Sequence, residues 1–328
     1  MGEIELLEWL RGQIGDPDHL GDDAARLELG ELSVAVTVDS QIAGVHVPFD
    51  LAPEIVARRL LAVNLSDLAA VGADPAFAFL ALNTPANYPR RRFFGAFLEA
   101  AEREDVTLAG GDLASTDRLT ATLTLIGTLD SAASWPGRDR ARAGDTLWVG
   151  GTLGESALGL ALLSRGASWD PGSDAAIPPP GLPAAQESAA RRALRRHLLP
   201  DAQLELGRWI AGRERAATVD LSDGLARDLH RVLRASGIGA ELEAERLPAA
   251  EGTAALATWL DEDLLDLQLG GGEDYVLLFA LPSDAEPPSG CHRIGRVVEG
   301  EGLRLLTERG SEELPPRGWD HLAADPGS

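Results

Sequence analysis

Residues 53–82 read PEIVARRLLAVNLSDLAAVGADPAFAFLAL, and this stretch decides the fold class. Apolar residues recur at helical spacing from Pro53 to Leu68, and the proline stands near the start, where a helix tolerates it. The apolar segment from Phe77 to Leu82 predicts a strand. A helix followed closely by a strand is typical of α/β proteins, so we expect helices packed against a sheet.

The same mixture of elements continues on both sides of this stretch. A segment rich in Ser, Arg, Pro and Gly, Ser131–Gly144, separates two such regions, so we predict an α/β (α+β) protein with domains at 1–135 and 136–328. A loop with three consecutive prolines is expected at Ser168–Pro183. The other predicted strands are Leu32–Val38, Val106–Ala109, Leu119–Leu129, Asp145–Val149, Thr218–Leu221, Gly239–Glu243 and Val276–Leu281, and the other predicted helices are Ile4–Leu10, Arg90–Arg103, Ser156–Ser164, Arg191–His197, Leu204–Ala211, Leu225–Ala235 and Trp259–Leu269.

Composition excludes several classes of protein. The 328 residues carry 29 basic and 52 acidic side chains, a net charge of −23, which argues against nonspecific binding to nucleic acid or to anionic membranes. All the basic residues are arginine, so a lysine-containing phosphate-binding loop is excluded. Cys291 is the single cysteine, which excludes an intramolecular disulfide and a cysteine-based zinc site. With no run of about 18 apolar residues and no signal-like start, we expect a cytoplasmic protein without a membrane span.

Aspartates recur at the predicted ends of apolar strands and in short turns. One such residue alone is typical of a cap or a turn, but several in one chain indicate a shared site, because α/β folds bind ligands at strand ends. Clusters with oxygen ligands alone suit Mg²⁺, which binds carboxylates together with substrate phosphates. Such ions would let an acidic chain accept an anionic substrate. The residues are Asp22, Asp23, Asp39, Asp67, Asp112, Asp220 and Asp223.

The glycine turn Gly150–Gly154 has two interpretations. It follows a predicted strand and precedes a predicted helix, so its N–H groups could bind phosphate. The interpretation we favour is a tight connection between strand and helix. A nucleophilic triad is not indicated, because the chain has no G-x-S-x-G motif and Cys291 lies in no recognisable motif.

Seven short motifs occur in a characteristic order. They are GDD at 21–23, TVD followed by GVH within 37–46, AVNLSDLAAVGADP at 62–75, GGD at 110–112, DLSDGL at 220–225, GGEDY at 271–275 and GWDH at 318–321. In this order they resemble the thiamine-monophosphate kinases, a family of the aminoimidazole ribonucleotide synthetase superfamily. The resemblance extends from about residue 3 to residue 322.

The resemblance implies a fold, a reaction and an assembly. The fold is the two-domain aminoimidazole ribonucleotide synthetase-like fold, in which N-terminal domains pair in a homodimer and ATP binds near that interface. The reaction is Mg²⁺-assisted, in-line transfer of the γ-phosphoryl group of ATP to thiamine monophosphate, a step of thiamine biosynthesis that gives thiamine diphosphate and ADP.

The resemblance also implies roles for individual residues. Positions matching the magnesium ligands are Asp23, Thr37, Asp39, Asp67, Asp112, Asp220 and Asp223. Positions matching the ATP site are Gly111, Asp112, Arg138 and Ser222, and those matching the thiamine phosphate site are His46, Glu273 and Trp319. Because a substrate phosphate oxygen is already anionic, no residue is expected to act as a general base.

Two alternatives stay open at this stage. One is another ATP-dependent enzyme of the same superfamily, such as aminoimidazole ribonucleotide synthetase. The other is a nonenzymatic protein that binds nucleotide and Mg²⁺. Turnover of thiamine monophosphate would separate both from the kinase.

Overall fold

The computed structural model describes residues 3–13, 20–130, 133–170 and 172–319. Its α-helices are α1 Glu3–Gln13, α2 Pro53–Ala70, α3 Arg90–Arg103, α4 Glu155–Ser164, α5 Glu187–Leu198, α6 Leu204–Ala211, α7 Leu225–Ser236, α8 Thr253–Leu260 and α9 Leu264–Gly270. Its strands are β1 Ala25–Leu29, β2 Leu32–Ile42, β3 Asp74–Thr84, β4 Thr107–Ser115, β5 Thr120–Thr128, β6 Thr146–Val149, β7 Ser168–Asp170, β8 Ala175–Ile177, β9 Ala217–Asp220, β10 Gly239–Glu243, β11 Leu277–Leu281, β12 His292–Val298, β13 Gly302–Thr307 and β14 Gly310–Glu313.

The first sheet has five strands in the order β1-β2-β5-β3-β4. Strand β5 is antiparallel to both of its neighbours, and β3 and β4 are parallel. Helices α2 and α3 pack on one face, where Leu60, Leu68, Phe93 and Phe97 are completely buried. The sequence 53–82 thus forms the helix and strand that it predicts, and these two elements lie at the centre of the first domain.

Helix α2 is buried on more than one side, and its buried residues include the polar side chains of Arg59, Asn64 and Ser66. It packs on the first sheet and also against α6 and β9 of the second region. Gly207 allows the approach of α6, because a Cβ there would overlap the carbonyl of Ala69. This helix therefore joins the two halves of the molecule.

The opposite face of the first sheet carries apolar side chains in solvent. Val38, Phe77 and Phe79 are all exposed. Thr124 of β5 pairs with both Val38 and Phe79, so these two side chains belong to one row across the sheet. An exposed apolar face of this kind is typical of a surface that contacts another chain.

The second sheet has seven strands in the order β14-β13-β10-β12-β6-β11-β9. Its core includes Leu147, Val219, Leu278 and Leu229 of α7. Strand β9 ends at Asp220 on the side where α2 packs. The first sheet, α2 and β9 therefore converge on one region of the molecule.

Three sequence predictions differ from the structure. The helix expected at Trp259–Leu269 is two helices, because Asp261 takes a left-handed conformation (φ 62°) and Asp263 caps α9 by accepting a hydrogen bond from the Asp266 N–H. Part of the predicted loop at 168–183 is the hairpin β7–β8. Strands β2 and β4 continue past Asp39 and Asp112, because both keep pairing with their neighbours to Ile42 and Ser115.

A few predicted features lie outside the described residues. They are Ser131 and Ala132 of the predicted domain boundary, Pro171 of the predicted loop, and Asp320 and His321 of the last motif. Within the part of the chain that the structure describes, no helix is both long and apolar enough to cross a membrane.

Candidate active site

Three carboxylates meet where the first sheet, α2 and β9 converge. Asp23 precedes β1, Asp67 lies in the last turn of α2, and Asp220 ends β9. Each offers one oxygen atom, and these atoms lie within 4.8 Å of one another. The acidic cluster, as we call these three residues, thus joins parts of the chain that are nearly 200 residues apart in sequence.

Neighbouring hydroxyl groups orient two of these carboxylates. Thr37 Oγ1 donates a hydrogen bond of 2.5 Å to Asp67 Oδ2, and Ser66 Oγ donates one of 2.6 Å to Asp220 Oδ2. Asp23 Oδ1 accepts a hydrogen bond from Arg138, whereas its buried Oδ2 has no hydrogen-bond partner among the residues that the structure describes. The cluster is therefore held in place but retains acceptor capacity.

The negative charge of the acidic cluster is poorly compensated. Burial raises the pKa of Asp67 well above its ordinary value, and the charges of Asp220, Asp39 and Asp23 raise it further. Burial and then the charge of Asp23 likewise raise the pKa of Asp220. The pKa of Asp23 is also raised by burial, although Arg138 opposes this effect. An oxygen-only site with excess negative charge fits a hard divalent cation.

Asp223 lies in a different electrostatic environment from the cluster. Its Oδ2 accepts a hydrogen bond of 2.5 Å from Arg231 Nη2 and lies 3.8 Å from Arg227 Nε. Asp228 binds Arg231 as well, at 2.7 Å, and its other oxygen accepts hydrogen bonds from the N–H groups of Asp223 and Gly224. Burial raises the pKa of Asp228 to about 7. Arginine therefore neutralises Asp223 in this structure.

Asp39, Gly111 and Asp112 lie on strands of the first sheet. The Asp39 N–H donates to Asn64 Oδ1 at 3.1 Å, so α2 anchors the backbone beside this carboxylate. Gly111 and Asp112 are exposed on β4, the last strand of the sheet. Gly111 has φ 152°, and a Cβ there would overlap the backbone of Leu80, so this close approach requires glycine.

The loops that carry Ser222, Glu273 and Trp319 are joined by backbone hydrogen bonds. The Glu273 N–H donates to Ser222 O at 2.7 Å, and the Trp319 N–H donates to Asp223 O at 3.0 Å. Trp319 is 57% exposed, so a large part of its indole faces solvent. The structure thus brings one predicted ATP-site residue next to two predicted substrate-site residues.

The remaining predicted residues are Arg138 and His46. The Arg138 N–H donates to Asp22 Oδ1 at 2.7 Å, and its guanidinium binds Asp23, so the whole residue is fixed against the GDD turn. His46 lies in the turn after β2, where its Nδ1 accepts a hydrogen bond of 3.1 Å from the Ile42 N–H.

The glycine turn is a tight connection, as the favoured interpretation predicts. The N–H groups of Gly154 and Ser156 donate to the two carboxylate oxygens of Asp274, at 2.8 and 3.2 Å. Burial raises the pKa of Asp274 to about 6, and these hydrogen bonds oppose the shift. Because a side-chain carboxylate already occupies the start of α4, the turn does not present these N–H groups to phosphate.

Sequence reasoning missed a buried polar network around Arg59. This arginine is 1% exposed and binds Glu273, the carbonyl oxygen of His197 and the side chain of Gln41. The signal in the sequence was the position of Arg59 between the apolar residues Ala57 and Leu60 of the predicted helix, eight residues before Asp67.

Comparison with known proteins agrees with this architecture. Family models described as the N-terminal and C-terminal domains of AIR synthase related protein match residues 21–129 and 142–307. Thiamine-monophosphate kinase of Aquifex aeolicus is 30% identical over 328 residues, covering 98% of both chains. The enzyme of the same name from Salmonella typhimurium is 34% identical over 319 residues, covering 93% of this chain and 91% of that one.

Solved structures of thiamine-monophosphate kinases are also similar to this chain. A structure described as AaThiL complexed with AMPPCP and TMP has a TM-score of 0.84 at 30% identity, covering 98% of this chain and 97% of that one. Thiamine-monophosphate kinase from Stenotrophomonas maltophilia has a TM-score of 0.72 at 31% identity, covering 92% of this chain and 95% of that one. These domains define an AIR synthase related protein with an acidic site between its two halves. The chain belongs to the thiamine-monophosphate kinase family.

Proposed function

We propose that this protein catalyses the ATP-dependent phosphorylation of thiamine monophosphate to thiamine diphosphate. The observation that carries the proposal is the match over nearly the whole chain to the structure described as complexed with AMPPCP, an ATP analogue, and TMP. The acidic cluster supports it, because the reaction brings two phosphorylated substrates together and therefore needs cations. No observation favours the other superfamily enzymes or a nonenzymatic binding protein.

We further propose that the acidic cluster holds Mg²⁺. Asp23, Asp67 and Asp220 supply the oxygen ligands, while Thr37 and Ser66 orient two of these carboxylates. Thr37, Asp39, Asp112 and Asp223 remain proposed ligands, and Asp223 would have to give up part of its contact with Arg231. When bound, the ions neutralise charge on the phosphates of both substrates.

The protein's own residues then position the two substrates. A phosphate oxygen of thiamine monophosphate is already anionic at neutral pH, so the reaction needs in-line alignment rather than a general base. Gly111, Asp112, Arg138 and Ser222 are proposed to bind ATP, and His46, Glu273 and Trp319 to bind thiamine monophosphate. The thiazolium ring is a cation, which the exposed indole of Trp319 can stack on and the carboxylate of Glu273 can attract.

We also propose that the protein is a homodimer formed through its first sheet. The support is the exposed apolar face carrying Val38, Phe77 and Phe79. The cytoplasmic location expected from the sequence stays a prediction, and the chain's strong acidity gives no support for a nucleic-acid partner.

The proposal is tested by incubating the protein with ATP, Mg²⁺ and thiamine monophosphate and separating the products by chromatography. Thiamine and an aminoimidazole precursor serve as parallel acceptors. We expect thiamine diphosphate from the monophosphate alone, and no product in the presence of EDTA. Turnover of the aminoimidazole precursor instead would contradict the substrate assignment, and ATP binding without any turnover would contradict the kinase.

A further inference from the structure

We propose that Arg59 is a positioning residue of the substrate site, which fixes the carboxylate of Glu273 at a set distance from the acidic cluster. The inference rests on the proposed function, in which Glu273 faces the cationic ring of thiamine monophosphate. It adds a role for a residue that contacts neither the acidic cluster nor solvent.

Contacts surround the Arg59 guanidinium on every side. Its Nε donates to Gln41 Oε1 at 3.1 Å, its Nη1 donates to the His197 carbonyl, and its Nη2 donates to Glu273 Oε1. Its Cζ lies 5.9 Å from the centre of the Tyr275 ring. A guanidinium with partners in so many directions has one available orientation, so it can serve as a rigid support for the carboxylate.

Arg59 supplies the positive charge that balances Glu273. Another neighbour of this carboxylate is His197, whose Nδ1 lies 3.3 Å from Glu273 Oε2. Burial and then the charge of Arg59 lower the pKa of His197 well below its ordinary value, so the imidazole is neutral at neutral pH. Arg59 is therefore the cation in contact with Glu273, and it holds the carboxylate from the buried side.

Part of the Glu273 side chain remains accessible to a ligand. Its side chain is 28% exposed, and its backbone is held at φ 55° by the hydrogen bond from its N–H to Ser222 O. A left-handed conformation at a non-glycine residue is unfavourable and persists where the surroundings enforce it. The carboxylate is thus fixed in backbone and side chain while one part of it still faces outward.

Helix α2 connects this support to the acidic cluster. Arg59 and Asp67 are eight residues apart on one helix, which corresponds to a rise of about 12 Å. Thiamine monophosphate carries a cationic ring at one end and a phosphate at the other, so both ends need fixed partners at a fixed separation. We infer that α2 sets this separation, with Arg59 acting through Glu273 at the ring end.

The test compares steady-state kinetics of the full-length wild type with Arg59→Met and Arg58→Met. Arg58→Met is the matched control, because Arg58 is the adjacent residue on α2 and pairs with Asp174 at 2.5 Å, away from Glu273. We expect Arg59→Met to raise the KM for thiamine monophosphate about tenfold while the KM for ATP changes less than about twofold. Arg58→Met should match the wild type, and Arg59→Lys should recover only part of the loss, because it keeps a cation beside Glu273 but not all three guanidinium contacts.

A double variant separates positioning from general destabilisation. In the Glu273→Gln background, Arg59→Met should raise the KM for thiamine monophosphate by less than about twofold more, since its effect passes through Glu273. An unchanged KM in Arg59→Met, an equal loss for both substrates, or full additivity with Glu273→Gln would overturn the inference. If Arg59→Met does not fold, Gln41→Met replaces it and should raise the same KM about threefold, by removing the acceptor of Arg59 Nε. An unchanged KM for thiamine monophosphate in Gln41→Met would also overturn the inference.

Calorimetric titration with thiamine monophosphate shows whether a negative result contradicts the proposed function, the role of Arg59, or both. A wild type that binds the compound without forming thiamine diphosphate contradicts the kinase, and the dissociation constants of the same variants then test Arg59 directly. A wild type that neither binds nor phosphorylates it contradicts both.

Discussion

Two positions on α2, Asp67 and Arg59, differ in how their buried charge is compensated. At Asp67, three carboxylates lie together and Arg138 binds one of them, so negative charge is in excess. At Arg59, one guanidinium faces one carboxylate, a neutral amide and a backbone carbonyl, so charge is balanced. A balanced buried network fixes geometry, whereas an unbalanced acidic one is stabilised by protons or by a cation from solution. The Arg59 network therefore serves to position a side chain of the site, whereas the acidic cluster serves to bind a cation.

The largest expected effect on activity is that of Asp67→Asn in the acidic cluster. It should lower kcat by about a thousandfold or more, because it removes a central ligand charge from the cation site. The metal-free variant should be at least as stable as the wild type, since the pKa of Asp67 is raised by burial and by its acidic neighbours. Enzyme assays and thermal unfolding in EDTA measure the two effects.

The matched control for this variant is Asp74→Asn, on the exposed surface. Asp74 pairs with Arg208 at 2.8 Å, and its side chain is 54% exposed. It should leave both activity and stability close to those of the wild type. Near-normal activity of Asp67→Asn would remove this residue from the cation site.

Asp223→Asn should change stability in the opposite direction. It leaves Arg231, whose side chain is 18% exposed, with less negative charge around it, at an expected cost of about 1–3 kcal/mol in free energy of unfolding. Chemical denaturation in EDTA measures this cost. A gain in stability like that of Asp67→Asn would show that the two carboxylates belong to one unbalanced cluster.

A smaller effect on activity is expected from Trp319→Ala in the proposed thiamine monophosphate site. Loss of stacking on a cationic ring should raise the KM for thiamine monophosphate about threefold to thirtyfold and leave that for ATP nearly unchanged. Trp319→Phe should retain part of the affinity. Equal changes for both substrates would place the indole outside the thiamine site.

Local sequence patterns predicted most of the central elements. The apolar helix and strand within 53–82 appear as expected because their burial matches their periodicity. The strands β12–β14 were missed, since they are short and carry many exposed polar residues. The predicted helix at 259–269 was wrong because its interruption depends on the conformation of one residue, Asp261.

The sequence predicted which residues form the candidate site, but not which of their side chains contact one another. The motifs identified Asp23, Asp67 and Asp220, which the structure brings together. They did not show that Asp223 binds Arg231 or that Arg59 supports Glu273, because both contacts depend on tertiary packing. Which residues compensate a buried charge is a property of the folded core, and the roles proposed for individual site residues remain predictions.

The most direct test of the account measures thermal unfolding of the wild type against pH, with EDTA and with Mg²⁺. Because the pKa values of Asp67 and Asp220 are raised in the folded state, their contribution to stability is fully present below their ordinary value of 3.8 and is lost as the pH rises through the raised values. We predict that Mg²⁺ restores this stability at neutral pH, has little effect near pH 4, and does not stabilise Asp67→Asn. A wild type whose melting temperature does not respond to Mg²⁺ at neutral pH would contradict the assignment of the acidic cluster as a cation site.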